Sequence, residues 1–153
     1  MNRITNNIIT NKFVRLIEEN HQEIIEHFMN DVLRNKKTVA YAKLDAHELY
    51  EIGSRVYREL SKWIAKDLPK EEVKAYYHKL GKIRLEEGIP ASQFFQALVI
   101  LKRHLWLFIK GKLENEITDY KQALEVSNRI VLFFDRAAYY MLTRYEEKVN
   151  KRW

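Results

Sequence analysis

No cysteine stands anywhere in this chain of 153 residues, which also holds only four glycines and two prolines. The first absence excludes disulfides, thiolate metal sites and a cysteine nucleophile. The second excludes a sheet protein, which needs turn residues roughly every 8–12 positions. An all-α fold follows from composition. Long hydrophobic runs are missing too. The most apolar stretch, Phe94 to Ile109, is interrupted by Gln96 and by Lys102-Arg103-His104, and it falls short of the roughly 20 residues that span a bilayer. Met1 to Asn6 lack the apolar core of a signal peptide. A soluble, cytoplasmic protein with no membrane partner is expected.

Charge is plentiful but not of one sign: 27 Lys and Arg stand against 21 Asp and Glu, a formal net charge of +6. The densest basic pieces, Lys102-Arg103-His104, Lys110-Gly111-Lys112 and Lys148 to Arg152, read as solvated helix faces. No helix-turn-helix spacing, zinc finger or RNP-type motif accompanies them, which disfavours nucleic acid as a partner. Among His21, His27, His47, His78 and His104, no two lie three or four apart. No helical pair can therefore grip one ion, and neither metal nor cofactor is expected. The carboxylates fall in solvated doublets such as Glu71-Glu72 and Glu86-Glu87. With no Gly-rich phosphate loop and no G-x-S-x-G, an enzyme is disfavoured.

Periodicity supplies the elements. Phe13, Leu16/Ile17, Ile24, Phe28 and Val32 mark a helix over about 10–35, with a bend or break expected at Asn20-His21. Residues 36–44 read as a loop pinned by Val39, Tyr41 and Leu44. Asp45-Ala46-His47-Glu48 is a capping-box start, followed by Leu49, Ile52, Val56, Leu60 and Trp63 to an end near Asp67. Pro69 opens the next helix at its first position, with acids behind it at the positive end of the dipole. Gly88 then supplies the left-handed residue that ends that helix, and Pro90 opens another. The corner Gly88-Ile89-Pro90 is thus chemically specified. The last two helices are expected over about 91–111 and, capped by Asn115, from about 116 nearly to the C-terminus.

The final helix carries two apolar stripes. One runs Ile117, Tyr120, Leu124, Ser127, Val131, Phe134, Ala138, Met141 and Tyr145; the other runs Ala123, Val126, Ile130, Phe133, Ala137 and Tyr140. Together they cover roughly 160° of the helix, and Leu132, Tyr139 and Leu142 widen them further. The helix before it is similarly broad. Either one subunit satisfies both faces, or the pair buries a face against a second copy, for which two-fold symmetry is the commonest solution. The expectation adopted is a homodimer through Phe95, Trp106, Ile130, Phe133, Ala137 and Tyr140. A charge at Phe133 or Tyr140 should then weaken the dimer more than it disturbs helix content. Gly81, inside a helix where glycine costs about 1 kcal/mol against alanine, shares a face with Tyr77 and Arg84. Close approach of a neighbouring helix and room for a ligand both explain it.

Residues 77–90, Tyr-His-Lys-Leu-Gly-Lys-Ile-Arg-Leu-Glu-Glu-Gly-Ile-Pro, precede a long aromatic helix with Leu-Lys-Arg-His-Leu-Trp at 101–106. This stretch resembles the N-terminal domain of stressosome co-antagonist (RsbR-type) proteins and related N-terminal domains of histidine kinases. The likeness is densest at 77–106; over the rest of 13–145 it is one of helix order and length. The resemblance implies a globin-like bundle of about six helices without haem, dimeric through its last two helices as a four-helix bundle. It also implies a role in signal transduction and stress response beside a kinase or stress regulator. In the similar haem-containing globin-coupled sensors, the iron-binding histidine stands four residues before the glycine of this corner. Arg84 occupies that position, and guanidinium has no lone pair for iron. His78, six residues earlier, lies roughly 120° round the helix. The domain that carries phosphorylation in stressosome proteins is not in this sequence, so that output is not carried over. The chain is expected to be a free-standing module or a piece of a longer protein.

One non-catalytic sensor domain over 1–153 is expected, with a pocket at Tyr77, Gly81 and Arg84 whose occupant alters the dimer face. Arg84→Ala should then leave the fold intact. The alternatives are a haem-binding gas sensor using His47 or His104, a ligand-free structural dimer, and a basic nucleic-acid binder.

Overall fold

Helix-forming periods fill nearly the whole chain, and the computed structural model follows them. It describes residues 2–65, 69–113 and 120–151, the side chains of 2–9, 113, 122 and 148–151 excepted. Among the described residues, five α-helices and one 3₁₀ helix make an all-α bundle and no strand occurs. The helices are α1 (Asn2–Arg34), α2 (Ala46–Ile64), α3 (Lys70–Glu86), α4 (Ala91–Leu113) and α5 (Tyr120–Lys151), with the 3₁₀ helix Lys36–Lys43 between the first two. None of the described helices is long and apolar enough to cross a membrane.

α1 does not break at Asn20-His21. The Asn20 amide donates to the Leu16 carbonyl at 2.9 Å, and the His21 ring donates through Nδ1 to the Glu18 carbonyl at 2.8 Å. Both polar side chains are absorbed by the helix's own acceptors, while Phe13, Ile17, Ile24 and Phe28 keep one buried stripe. The segment expected as a loop is helical and tied down by polar groups. Thr38 is buried and donates to the Val32 carbonyl at 2.7 Å, and the Gln93 side chain on α4 accepts from the Ala40 amide at 2.7 Å. Tyr41 is buried as expected, but Val39 is exposed.

Asp45 caps α2, its carboxylate accepting from the Glu48 amide at 2.8 Å. The expected end near Asp67 lies outside the described residues. Pro69 stands one position before α3 rather than within it, its carbonyl receiving the amides of Glu72 and Val73. At the other end of α3 the Gly88 φ is 75°. The Ile89 amide bonds the Arg84 carbonyl at 3.1 Å and the Gly88 amide bonds the Leu85 carbonyl at 3.0 Å. That pair of bonds is a Schellman termination, and it buries Ile89 as the chain turns into α4.

α5 packs chiefly on α3. Phe133 meets Tyr77 edge-on with centroids 5.6 Å apart and lies 6.4 Å from Trp63. Each large side chain so buried contributes about 1.5–3 kcal/mol. Polar ties fix the register. The Tyr57 hydroxyl on α2 donates to the Leu101 carbonyl at 2.9 Å, and the Trp63 indole donates to the Arg129 carbonyl at 3.0 Å. Tyr145, near the end of α5, donates to the Ile89 carbonyl at 2.5 Å and stacks on Phe94.

Candidate functional site

Of the expected pocket at Tyr77, Gly81 and Arg84, the part at Tyr77 and Gly81 is filled. Tyr77 is wholly enclosed against Phe133 and Tyr76, and burial pushes its phenol well above the usual range. At Gly81 a β-carbon would stand 2.8 Å from the Met141 carbonyl oxygen and 3.0 Å from the Met141 Cα. The glycine serves helix approach, not a ligand.

Arg84 is neither a surface group nor free. It is buried, and its Nη1 donates to the Glu87 carboxylate at 2.6 Å one turn on. Its Nε is buried with no hydrogen-bond partner. Arg84 also lines a cleft of ≈ 380 Å³ between α2 and α3. Arg55 and Arg58 share that cleft with Glu48, Glu51 and Glu87, so the two signs balance. Arg55 pairs with Glu59 at 3.0 Å and covers the Tyr76 ring at 4.7 Å. The side chains here do not suit an iron-bound haem: the Arg84 guanidinium has no lone pair to give, and Tyr77 and Gly81 are closed off by Phe133 and Met141.

The histidines are spread over the bundle. His104 Nε2 meets Asp31 at 2.8 Å, joining α4 to α1, and His27 stacks on it at 6.1 Å. His78 meets Glu147 at 3.0 Å across α3 and α5, and His47 is exposed on α2. Among the described residues no three His, Cys, Asp or Glu side chains group to hold a metal ion.

The residues expected at a dimer interface divide into three sets. Ile130, Phe133 and Ala137 have no exposed surface, because α5 turns that stripe into its own subunit against α2, α3 and α4. They cannot also meet a second copy, and a charge at Phe133 would strike the core. Tyr140 is half-buried beside His78 and Thr143 in a cleft between α3 and α5. Phe95 and Trp106 lie on the outer side of α4 at helical spacing with Val99 and Lys102. Phe95, Val99 and Lys102 form a shallow depression with Phe134, Asp135 and Ala138 of α5.

Two features escaped the sequence reading because they join residues far apart. In one, the Arg129 and Arg136 guanidinium groups lie 5.0 and 5.1 Å from the Trp63 ring centre. Arg129 also donates to the Trp63 carbonyl. Burial, and after it the Arg136 cation, lowers the Arg129 guanidinium from its ordinary value. The other is a mostly apolar cleft between α1 and α2. The small residues Ser54 and Ser61, seven apart on α2, were its only legible trace. In comparisons with known proteins, no family model, curated protein or solved structure matches the chain.

Proposed function

We propose that this chain is a non-catalytic signalling module, a globin-like helical domain without haem, that acts as a symmetric dimer through the outer faces of α4 and α5. One observation carries the reading. Phe95, Leu124 and Val131 are 44%, 69% and 39% exposed on that side of the molecule, an apolar surface of the kind that marks an interaction site. Lys102 and Asp135 lie within it, side by side in one depression. Opposite charges within one patch suit pairing with a second copy of the same surface, the isologous contact of a two-fold dimer. Several charged groups elsewhere pair across or along helices, as in Arg84–Glu87, Arg55–Glu59 and His104–Asp31. Such pairing holds helices and does not poise an acid or base.

The signal is a ligand or protein contact that binds two packings of this face unequally; equal binding would shift nothing. A kinase or stress regulator as downstream partner, and a cytoplasmic setting, belong to the same reading and rest on the resemblance at residues 77–106. The test is mass in solution by light scattering. The unmutated chain should run at twice 18.5 kDa. Phe95→Glu and Val131→Glu should run as monomers with unchanged helical circular dichroism. A monomeric unmutated chain at micromolar concentration overturns the reading.

A further inference from the structure

α2 lies close on α1 at Gly53, where an added β-carbon would stand 3.3 Å from the Ile25 side chain. From there α2 presents Ser54 and, two turns on, Ser61 where its buried face otherwise carries Val56, Leu60 and Trp63. The small side chains leave a cleft of ≈ 390 Å³ against Ile17 and His21 of α1, at the low end of the roughly 300–1,000 Å³ usual for small-molecule sites.

Its polar groups are few and specific. Tyr57 lines the cleft, but its hydroxyl is committed to the Leu101 carbonyl. His21 has its Nδ1 on the Glu18 carbonyl. The Ser61 hydroxyl is buried and makes no hydrogen bond at all. A hydroxyl left so is costly unless something completes it. Glu18, Arg58 and Lys62 bring both signs of charge to the remaining lining, whereas the apolar parts would penalise an ion held between them.

We propose that the α1–α2 cleft binds a small, uncharged, mostly apolar molecule carrying one hydroxyl or carbonyl group, toward which the enclosed Ser61 hydroxyl turns to hydrogen-bond. The proposal stands apart from the dimer reading, because the cleft is formed within one chain and lies away from the α4–α5 face.

The test uses the full chain, ¹⁵N-labelled, titrated with 2-naphthol and with naphthalene, which differ by one hydroxyl. 2-Naphthol should give saturable amide shifts centred on Ile17, Ser54, Tyr57 and Ser61, and should bind about fivefold more tightly than naphthalene. Ser61→Ala should erase that preference while naphthalene binding persists, and Ser54→Leu should fill the cleft and abolish both. Shifts that do not saturate, or a preference for 2-naphthol that survives Ser61→Ala, would overturn the site. Since Ser61→Ala removes only an unbonded oxygen, that variant remains decisive even where Ser54→Leu fails to fold. Light scattering on the same samples reads the dimer separately.

Discussion

Gly81 of α3 and Met141 of α5 touch through their main chains: a β-carbon on the glycine would lie 2.8 Å from the Met141 carbonyl oxygen. Backbone cannot yield as a flexible side-chain tip does. Gly81→Ala should therefore lose about 1–3 kcal/mol by overpacking, despite the better helix propensity of alanine. Gly111→Ala, with nothing within 4 Å of the added carbon, should instead gain about 0.5–1 kcal/mol. Urea midpoints at unchanged slope measure both. Equal effects would deny the close approach.

The Arg84–Glu87 pair predicts an asymmetry. Glu87→Ala strands a buried cation, whereas Arg84→Met removes the charge and keeps much of the volume. The first should cost about 1–3 kcal/mol, and the second clearly less. Thermal unfolding of the two variants decides it; a larger loss for Arg84→Met would contradict the ion-pair account.

Gly88 sits at φ 75°, so Gly88→Ala should cost about 1–2 kcal/mol through the backbone alone. The one atom near an added carbon is the Lys43 ammonium at 3.3 Å, the mobile end of a side chain. Gly88→Asn should recover part of the loss in the same melts.

Alkali should unfold the bundle through its tyrosines. Burial, only partly offset by the Arg84 cation, pushes the Tyr145 phenol up to about 12. Burial likewise raises Tyr41 and Tyr57, and carries Tyr77 well above its ordinary value. A phenol whose folded pKa exceeds its unfolded value of about 10 favours the fold fully below that pH. Its contribution is lost as pH climbs from there toward the folded value. Absorbance at the phenolate band should thus show one set of tyrosines titrating while helical signal persists, and the rest only as that signal collapses. Titration of every tyrosine with intact helix would refute the burial.

The features legible in the sequence are those decided within a few residues. The Asp45 cap, the Gly88 stop and the stripe Phe13–Ile17–Ile24–Phe28 depend on local geometry, and each stands where its spacing places it. The break expected at Asn20-His21 did not form, because both side chains found acceptors one turn back. The dimer assignment failed at Ile130, Phe133 and Ala137 for a different reason. A helix apolar over a wide arc does not state which sector its own subunit covers, and that is settled by α3 packing across Gly81. The burial of Arg84 brings it close to Tyr41 and Tyr145, residues distant in the chain, which no local pattern reports. The pairing of Tyr57 with Leu101 and the trough at Ser61 likewise exist only once α1, α2 and α4 are assembled.

Besides its packing on α3, α5 is pinned by polar ties at two points, Tyr145 on Ile89 and Arg129 on Trp63. At 1.5 Å per residue, Phe133 is about 18 Å from the Tyr145 support, and Leu124 about 32 Å. A slight tilt about that bearing therefore swings Leu124 nearly twice as far as Phe133. Whatever loosens the grip of Trp63 is felt most at Leu124, and about half as strongly at the aromatic centre.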